Sequence, residues 1–324
     1  MKAAVLTAYG SVENIQIKEV PDPIPETSEV LIKIHTCTVS AADCEIRRFD
    51  IQPLFWIPLR LVMGLFKPRK NKILGQEFAG EIIATGPDVK HFKIGDLVFG
   101  SGGFQMGCQA EYKCKNENTG IIHKPAGITF EEAVTIPLGG LNALHYLRKA
   151  KITSSDRVLI IGAGGSIGTY AVQLASKTGA HITATDSHEK LEMLKGIGAN
   201  EVIDYKKEDF WLSKKKYDVI FDVSFKTGYS KCISALAPKG RYIPADYSLS
   251  LLLRGFMTTL FTSNKVIITL AGDKNEDLFE LAKLIENKNI KPVVGKTYTL
   301  EEIPEANRHI EKGHKQGSLV VRVS

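Results

Sequence analysis

Residues 157–175 read RVLIIGAGGSIGTYAVQLA, and the rest of the chain can be read outward from them. Val158–Ile161 form a short apolar run rich in β-branched residues, which suits a buried strand. Gly162, Gly165 and Gly168 then give the pattern GxxGxxG, with Gly164 between them, and SIGTYAVQLASKTG (166–179) continues with helical spacing. Strand, glycine turn and helix are followed at once by a second strand, HITAT (181–185). In that context the turn lets the backbone approach a pyrophosphate closely, while the helix N-terminus offers N–H groups and the positive end of its dipole. Gly162, Gly164, Gly165, Ser166, Ile167 and Gly168 are therefore candidate dinucleotide contacts. A glycine turn that only packs a helix on a strand is the weaker alternative, because the whole βαβ context is present.

The pattern continues on both sides. EKLEMLKGIG (189–198) is helical, and YDVIFDV (217–223), RYIPA (241–245) and KVIITL (265–270) read as further strands. Strands alternating with helices predict a doubly wound parallel sheet. Upstream, TFEEAVTIPLGGLNALHYLRKA (129–150) is helical with a break expected near Pro137. The first third differs: EVLIKIHTCTV (29–39), FAGEIIATG (78–86) and DLVFG (96–100) are short strands punctuated by Gly86-Pro87 and Gly95-Asp96, which predicts a mostly β, barrel-like unit. After Gly272 come a helix, DLFELAKLIENK (277–288), and strands VGKTYTL (294–300) and SLVVRV (318–323). The simplest arrangement returns this tail to the first domain, giving 1–125 with 273–324 and an inserted domain at 126–272.

Bulk properties narrow the classes. At 324 residues the chain is long enough for two cores. Its 44% hydrophobic and 24% charged content match a soluble globular protein. A net charge of +6 is too diffuse to argue for nucleic acid, and Lys214–Lys216 read as a solvated turn. Cys37, Cys44, Cys108, Cys114 and Cys232 include no CxxC pair, so a reducing compartment is expected. The start, MKAAVLTAYGSVENIQI, is strand-like and has no signal-peptide character, which places the expectation in the cytosol. Two apolar stretches, 51–66 and 249–261, are too short to span a bilayer and each carries an arginine. The preferred reading is lid and interface helices. The sharper one is a lipophilic mouth for an apolar acceptor, with Arg60, Lys67, Arg69 and Lys70 near lipid headgroups.

The segment TATDSHEKLE (183–192) bears on which cofactor binds. Asp186 falls where a carboxylate would hold the ribose hydroxyls of NADH. Ser187 and Lys190 follow, and a hydroxyl with an ammonium suits the 2′-phosphate of NADPH. Ser187 as a helix cap and Lys190 as a solvated residue is the alternative.

Taken with ILGQEFAGEIIATGPDVKHFKIGDLVFG (73–100), EEAVTIPLGGLNAL (131–144), KGIGANEVIDYKKEDF (195–210) and GHKQGSLVVRV (313–323), the chain resembles the medium-chain dehydrogenase/reductase superfamily, and within it the zinc-free quinone oxidoreductases. The resemblance covers nearly the whole length. It implies an α/β chain with a GroES-like catalytic domain, a Rossmann domain, a cleft between them and usually a homodimer. The positions matching the catalytic zinc ligands of alcohol dehydrogenases carry Ser40, Gln76 and the Leu138–Gly140 segment, and Cys108 and Cys114 stand alone where a four-cysteine lobe would lie. No zinc is expected.

By the same resemblance Lys190 and Tyr205 match contacts to the adenosine 2′-phosphate, so NADPH is the expected cofactor, with Asp186 leaving room for NADH. Thr135 and Asn142 fall where the family lines the nicotinamide pocket, and Lys315 is a further candidate cofactor contact. Ser40 and Asp43 lie in the segment resembling the active-site loop, although relatives often carry Asn in place of Ser40 and Tyr in place of Glu45. Ser40 would donate to a substrate oxygen, and Asp43 with Arg47 would fix the loop. The competing reading makes these three a helix cap and a surface ion pair. Without a metal to acidify an alcohol, hydride delivery to a quinone or similar electrophilic carbonyl is the expected reaction. Reduction of an enal or enone carbon–carbon double bond, or NADPH binding without catalysis, are the alternatives.

Overall fold

The alternation in EVLIKIHTCTV forms an eleven-residue strand, Glu29–Val39, in which Val30, Ile32 and Ile34 are fully buried. Period-two burial of this kind fixes which face meets the core. The structure, a computed structural model, describes all residues except 51, 52, 66, 70, 71, 246, 247, 314 and 324. Its chain divides into two units, Met1–Leu138 with Asp273–Ser324, and Gly139–Gly272.

The first unit begins with β1 (Lys2–Leu6), β2 (Ile15–Glu19) and the long β3 (Glu29–Val39). Helices α1 (Ala41–Arg48) and α2 (Pro53–Met63) precede β4 (Glu77–Thr85), β5 (Leu97–Ser101), β6 (Tyr112–Asn116) and β7 (Ile121–His123). Then come α3 (Phe130–Ala133) and α4 (Ile136–Ala150), so the expected break lies at Val134–Thr135, and Pro137 sits in the first turn of α4, where its missing N–H costs nothing.

In the second unit β8 (Arg157–Ile161), α5 (Ser166–Ser176), β9 (His181–Asp186), α6 (Leu191–Gly196) and β10 (Glu201–Asp204) follow in order. They are succeeded by β11 (Tyr217–Asp222), α7 (Tyr229–Ser234), β12 (Leu236–Pro244), α8 (Leu249–Phe261) and β13 (Lys265–Val266). The chain returns to the first unit with α9 (Asn275–Glu286), β14 (Val294–Thr299), α10 (Ile303–Glu311) and β15 (Ser318–Arg322).

The second unit holds one six-stranded sheet in the order β10-β9-β8-β11-β12-β13, and every pairing in it is parallel. In order of appearance this is 3-2-1-4-5-6, the doubly wound Rossmann arrangement. Val158, Leu159 and Ile160 are completely buried, as a central parallel strand covered on both faces requires. In the first unit β15 lies between β14 and β3, and the sheet continues through β4, β5 and β7 in a mostly β, GroES-like domain.

Two boundaries differ from expectation. Residues 126–138, read with the middle block, pack in the first unit: Phe130 stacks on His35 at 4.5 Å, its carbonyl accepts from Thr36, and Glu131 pairs with Arg322. The strand expected over 265–270 is paired only at Lys265–Val266. Among the described residues no helix is long and apolar enough to cross a membrane. Lys70 lies outside the described residues, and Arg60 turns its guanidinium over the rings of Phe49, Tyr9 and Trp56 at 4.0, 4.4 and 4.9 Å. The cation of α2 is thus held by aromatic faces of the protein.

Candidate functional site

The glycine turn sits at the carboxyl end of β8, beside the point where strand order reverses between β8 and β11. Gly162 has φ 75°, a left-handed conformation that glycine adopts without strain. The Gly162 and Ala163 amides both donate to the Thr185 carbonyl at 3.1 Å, which binds the turn to the end of β9. Gly165 is the N-cap of α5 and supplies no side-chain cap, so the first turn of α5 presents its amides without a competing side chain.

A buried charge pair closes the other side of the turn. Asp186 Oδ2 accepts from the Gly164 amide at 2.7 Å, and Oδ1 accepts from the Ser187 amide at 2.8 Å and pairs with Lys190 Nζ at 2.7 Å. Asp186, Ser187 and Lys190 are all buried, and the Tyr205 amide donates to the Asp186 carbonyl at 3.3 Å. The four residues read as cofactor contacts are therefore brought together at the ends of β9 and β10. Lys190 is not the solvated residue of the alternative reading. Ser187 occupies the cap position of the short turn that follows, yet its hydroxyl makes no cap bond. That hydroxyl is shielded from solvent with no hydrogen-bond partner among the described residues.

The first unit holds a second polar cluster, and there the catalytic expectations need correction. Ser40 is the N-cap of α1, and Ser40 and Asp43 form a reciprocal capping box. The Ser40 hydroxyl donates to Asp43 Oδ2 at 2.8 Å, the Ser40 amide donates to the same oxygen at 2.7 Å, and Asp43 Oδ1 accepts from the Gly75 amide at 2.8 Å. Both side chains are buried and engaged with each other, so the cap reading is the one the geometry shows. Arg47 does not pair with Asp43. It is 2% exposed and bonds the Gly10 carbonyl, Asn307 and Glu311. Thr135 is fully buried and donates its hydroxyl to the Glu132 carbonyl at 2.9 Å, while Asn142 is half-buried on α4.

Glu77 is the residue that sequence reasoning passed over. It follows Gln76 in the segment read only for a missing metal ligand. Its carboxylate is buried, accepts from the Thr38 hydroxyl at 2.5 Å and from the Leu138 amide at 2.7 Å, and so anchors the first turn of α4 to β3 and β4. Burial pushes its pKa up from 4.5 to about 7, opposed by those two hydrogen bonds and by the charge of Lys315. Burial likewise raises Asp43 above the usual carboxylate range, again opposed by its hydrogen bonds and by Lys315. Lys315 therefore acts electrostatically on this carboxylate pair. The Gln76 side-chain oxygen is shielded with no hydrogen-bond partner among the described residues. Burial pushes Cys108 to about 11 and Cys44 to about 12, so neither thiol supplies a thiolate nucleophile near neutral pH.

A parallel sheet in 3-2-1-4-5-6 order, with a glycine turn at the reversal and a mostly β partner unit, defines a dinucleotide-dependent dehydrogenase or reductase. Comparison with known proteins agrees. Residues 26–155 match the alcohol dehydrogenase GroES-like domain, and residues 197–321 match the family described as zinc-binding dehydrogenase. A chloroplastic quinone oxidoreductase, QR1 of Triphysaria versicolor, is 31% identical over 99% of this chain and 98% of its own. The 2-methylene-furan-3-one reductase of Solanum lycopersicum is 29% identical over 99% of this chain and 79% of its own. The structure of a quinone oxidoreductase from Coxiella burnetii superposes with a TM-score of 0.89 at 28% identity, over 100% of this chain and 99% of that one. The chain belongs to the medium-chain dehydrogenase/reductase superfamily and is a quinone oxidoreductase-like NAD(P)H oxidoreductase within it.

Proposed function

We propose that this chain is an NADPH-dependent reductase that works without a catalytic zinc and transfers hydride to a quinone or similarly electrophilic carbonyl acceptor. The observation that carries the cofactor reading is the buried Ser187 hydroxyl, without a partner among the described residues, beside the Asp186–Lys190 pair. An unmet buried hydroxyl costs about 1–3 kcal/mol, and a phosphate oxygen between Ser187 and Lys190 would offset that cost. The α5 amides would hold the pyrophosphate, Tyr205 would flank the adenosine 2′-phosphate, and Asp186 would permit some use of NADH. When bound, the reduced nicotinamide supplies the hydride.

The residues at the matching zinc positions do not fit that metal. Ser40 donates its hydroxyl to Asp43, Gln76 offers an amide, and Leu138 is aliphatic, whereas a catalytic zinc takes thiolate, imidazole or carboxylate ligands. In this reading the Gln76 amide hydrogen-bonds the acceptor oxygen as negative charge grows on it, and Ser40 and Asp43 hold the loop that begins α1. The similarity to a 2-methylene-furan-3-one reductase supports a second reading, reduction of an enone carbon–carbon double bond.

The test is oxidation of NADPH and NADH by metal-stripped protein with a quinone and with an enone, followed by product identification. A hydroquinone supports the first reading, a saturated ketone the second. Cofactor binding without turnover would sink both. Lys190→Ala should raise the KM for NADPH at least about tenfold and leave that for NADH within about twofold, since one charge-assisted contact is worth about 1.5–3 kcal/mol. Gln76→Leu should lower kcat about tenfold with the NADPH KM unchanged, because one hydrogen bond formed in the transition state is lost.

A further inference from the structure

Strand β6 turns two lysines inward. Lys113 and Lys115 alternate with Tyr112, Cys114 and Asn116, so they share one face about 7 Å apart, and they are 8% and 5% exposed. Lysine is almost never buried this far unless it is paired. An ammonium carries three N–H donors. Lys113 gives one to the Met106 carbonyl, and among the described residues Lys115 makes no hydrogen bond and no ion pair. Burial holds the Lys115 pKa below the ordinary lysine value, an effect that the charge of Asp273 opposes and that of Lys113 reinforces.

Few groups neutralise these two charges. Cys108, on which both ammonium charges act, keeps its proton, because burial pushes its thiol to about 11. Glu29 acts on Lys115 only weakly, and its carboxylate accepts from the Glu26 amide at 3.1 Å. That leaves the half-buried Asp273, one carboxylate against two ammonium groups among the described residues. The backbone around the three is bare. Gly103, Gly107 and Gly120 have left-handed φ values of 56°, 87° and 63°. A Cβ added at Gly107 would lie 3.2 Å from Lys113 Nζ, and one at Gly103 would lie 3.1 Å from Asp273 Oδ2. One added at Gly120 would lie 3.4 Å from Lys115 Nζ and 3.2 Å from Asp273 Oδ2. Three glycines thus keep side chains away from three charged atoms, all within the first unit.

We propose that Lys113 and Lys115 form an anion site, in which the carboxylate of a small organic acid bridges the two ammonium groups inside this glycine cradle. A buried cation is strongly unfavourable until it is paired, and a carboxylate would pair both. One negative charge balances the cluster, since Asp273 already offsets one of the two cations. A phosphate dianion would overshoot and set its second charge against Asp273. The inference is independent of the reaction assigned above. It is tested by isothermal titration of the whole chain with sodium acetate at fixed ionic strength, against sodium chloride, with inorganic phosphate as a second probe. Acetate should bind saturably at one site, and phosphate more weakly. Lys115→Met should weaken acetate at least about tenfold, the loss of one charge-assisted hydrogen bond. The same variant should melt higher than the wild type in chloride, because an apolar chain replaces a buried, unpaired charge. Asp273→Asn should tighten acetate at least about threefold by removing a repelling carboxylate, and this half-buried position keeps the test open should Lys115→Met not fold. The proposal is overturned if acetate and chloride titrate the wild type alike, if phosphate binds more tightly than acetate, or if Lys115→Met binds acetate as the wild type does. It is equally overturned if Lys115→Met melts lower than the wild type and Asp273→Asn fails to tighten acetate, which would make Lys115 and Asp273 a structural ion pair.

Discussion

Gly168→Ala is expected to weaken NADPH binding about a hundredfold and to cost about 1–3 kcal/mol of stability, the usual range for overpacking. A Cβ at Gly168 would lie 2.5 Å from both Cα and O of Ala163 and 2.6 Å from its carbonyl carbon. All three are backbone atoms of the glycine turn, so no rotamer change relieves the clash. The first turn of α5 must move away from β8, and the amides proposed above to hold the pyrophosphate move with it. Gly196, at the end of α6, is the internal control: an added Cβ there meets nothing within 4 Å. Gly196→Ala should leave cofactor binding alone and stabilise by up to about 1 kcal/mol through helix propensity. Urea unfolding and fluorescence titration with NADPH measure both quantities. Wild-type affinity in Gly168→Ala would show that the turn is not the pyrophosphate site.

Glu77→Gln gives the second large effect, and it depends on pH. Because burial raises the folded-state pKa of Glu77 from 4.5 to about 7, its favourable contribution is complete below pH 4.5 and is lost as pH rises through about 7. At about 1.4 kcal/mol per pH unit, that displacement is worth about 3 kcal/mol. Glutamine keeps an acceptor for the Leu138 amide and does not titrate. The stability of Glu77→Gln relative to wild type should therefore increase by about 3 kcal/mol between pH 4.5 and pH 8. Parallel stability curves for the two proteins across that window would contradict the buried, raised carboxyl.

The fold was legible because its signals are local. A β-branched strand, three spaced glycines and a helix lie within one stretch of sequence, and the alternation of 29–39 shows directly in the burial of Val30, Ile32 and Ile34. The grouping of Asp186, Ser187 and Lys190 was legible for the same reason, since they are sequence neighbours at the end of one strand. The chemistry of the first unit was not. Ser40 and Asp43 carry the spacing of a capping box, and whether such a pair also faces a substrate depends on what buries it. Arg47 finds its partners at Asn307 and Glu311, far along the chain, where no local pattern could point. Glu77 owes its raised pKa to enclosure by β3 and the start of α4, which only the folded chain creates. Residues 126–138 were misplaced because a helical period says nothing about which sheet the helix packs on. Phe130 and Glu131 answer that through His35 and Arg322.

The position of β15 between β14 and β3 has a consequence for how this protein is made. Cys37 on β3 pairs with Val321 on β15, a separation of about 280 residues, whereas the parallel sheet of the second unit is assembled wholly from Gly139–Gly272. At ribosomal rates of about 5–20 residues per second, β3 waits on the order of 15–60 s for its neighbour to be synthesised. The nucleotide-binding unit emerges as one uninterrupted piece and can close first. The seven-stranded sheet of the first unit is completed only after that, once Ser318–Arg322 has been made, so premature termination before Ser318 would spare the parallel-sheet unit and leave β3 without one of its partner strands.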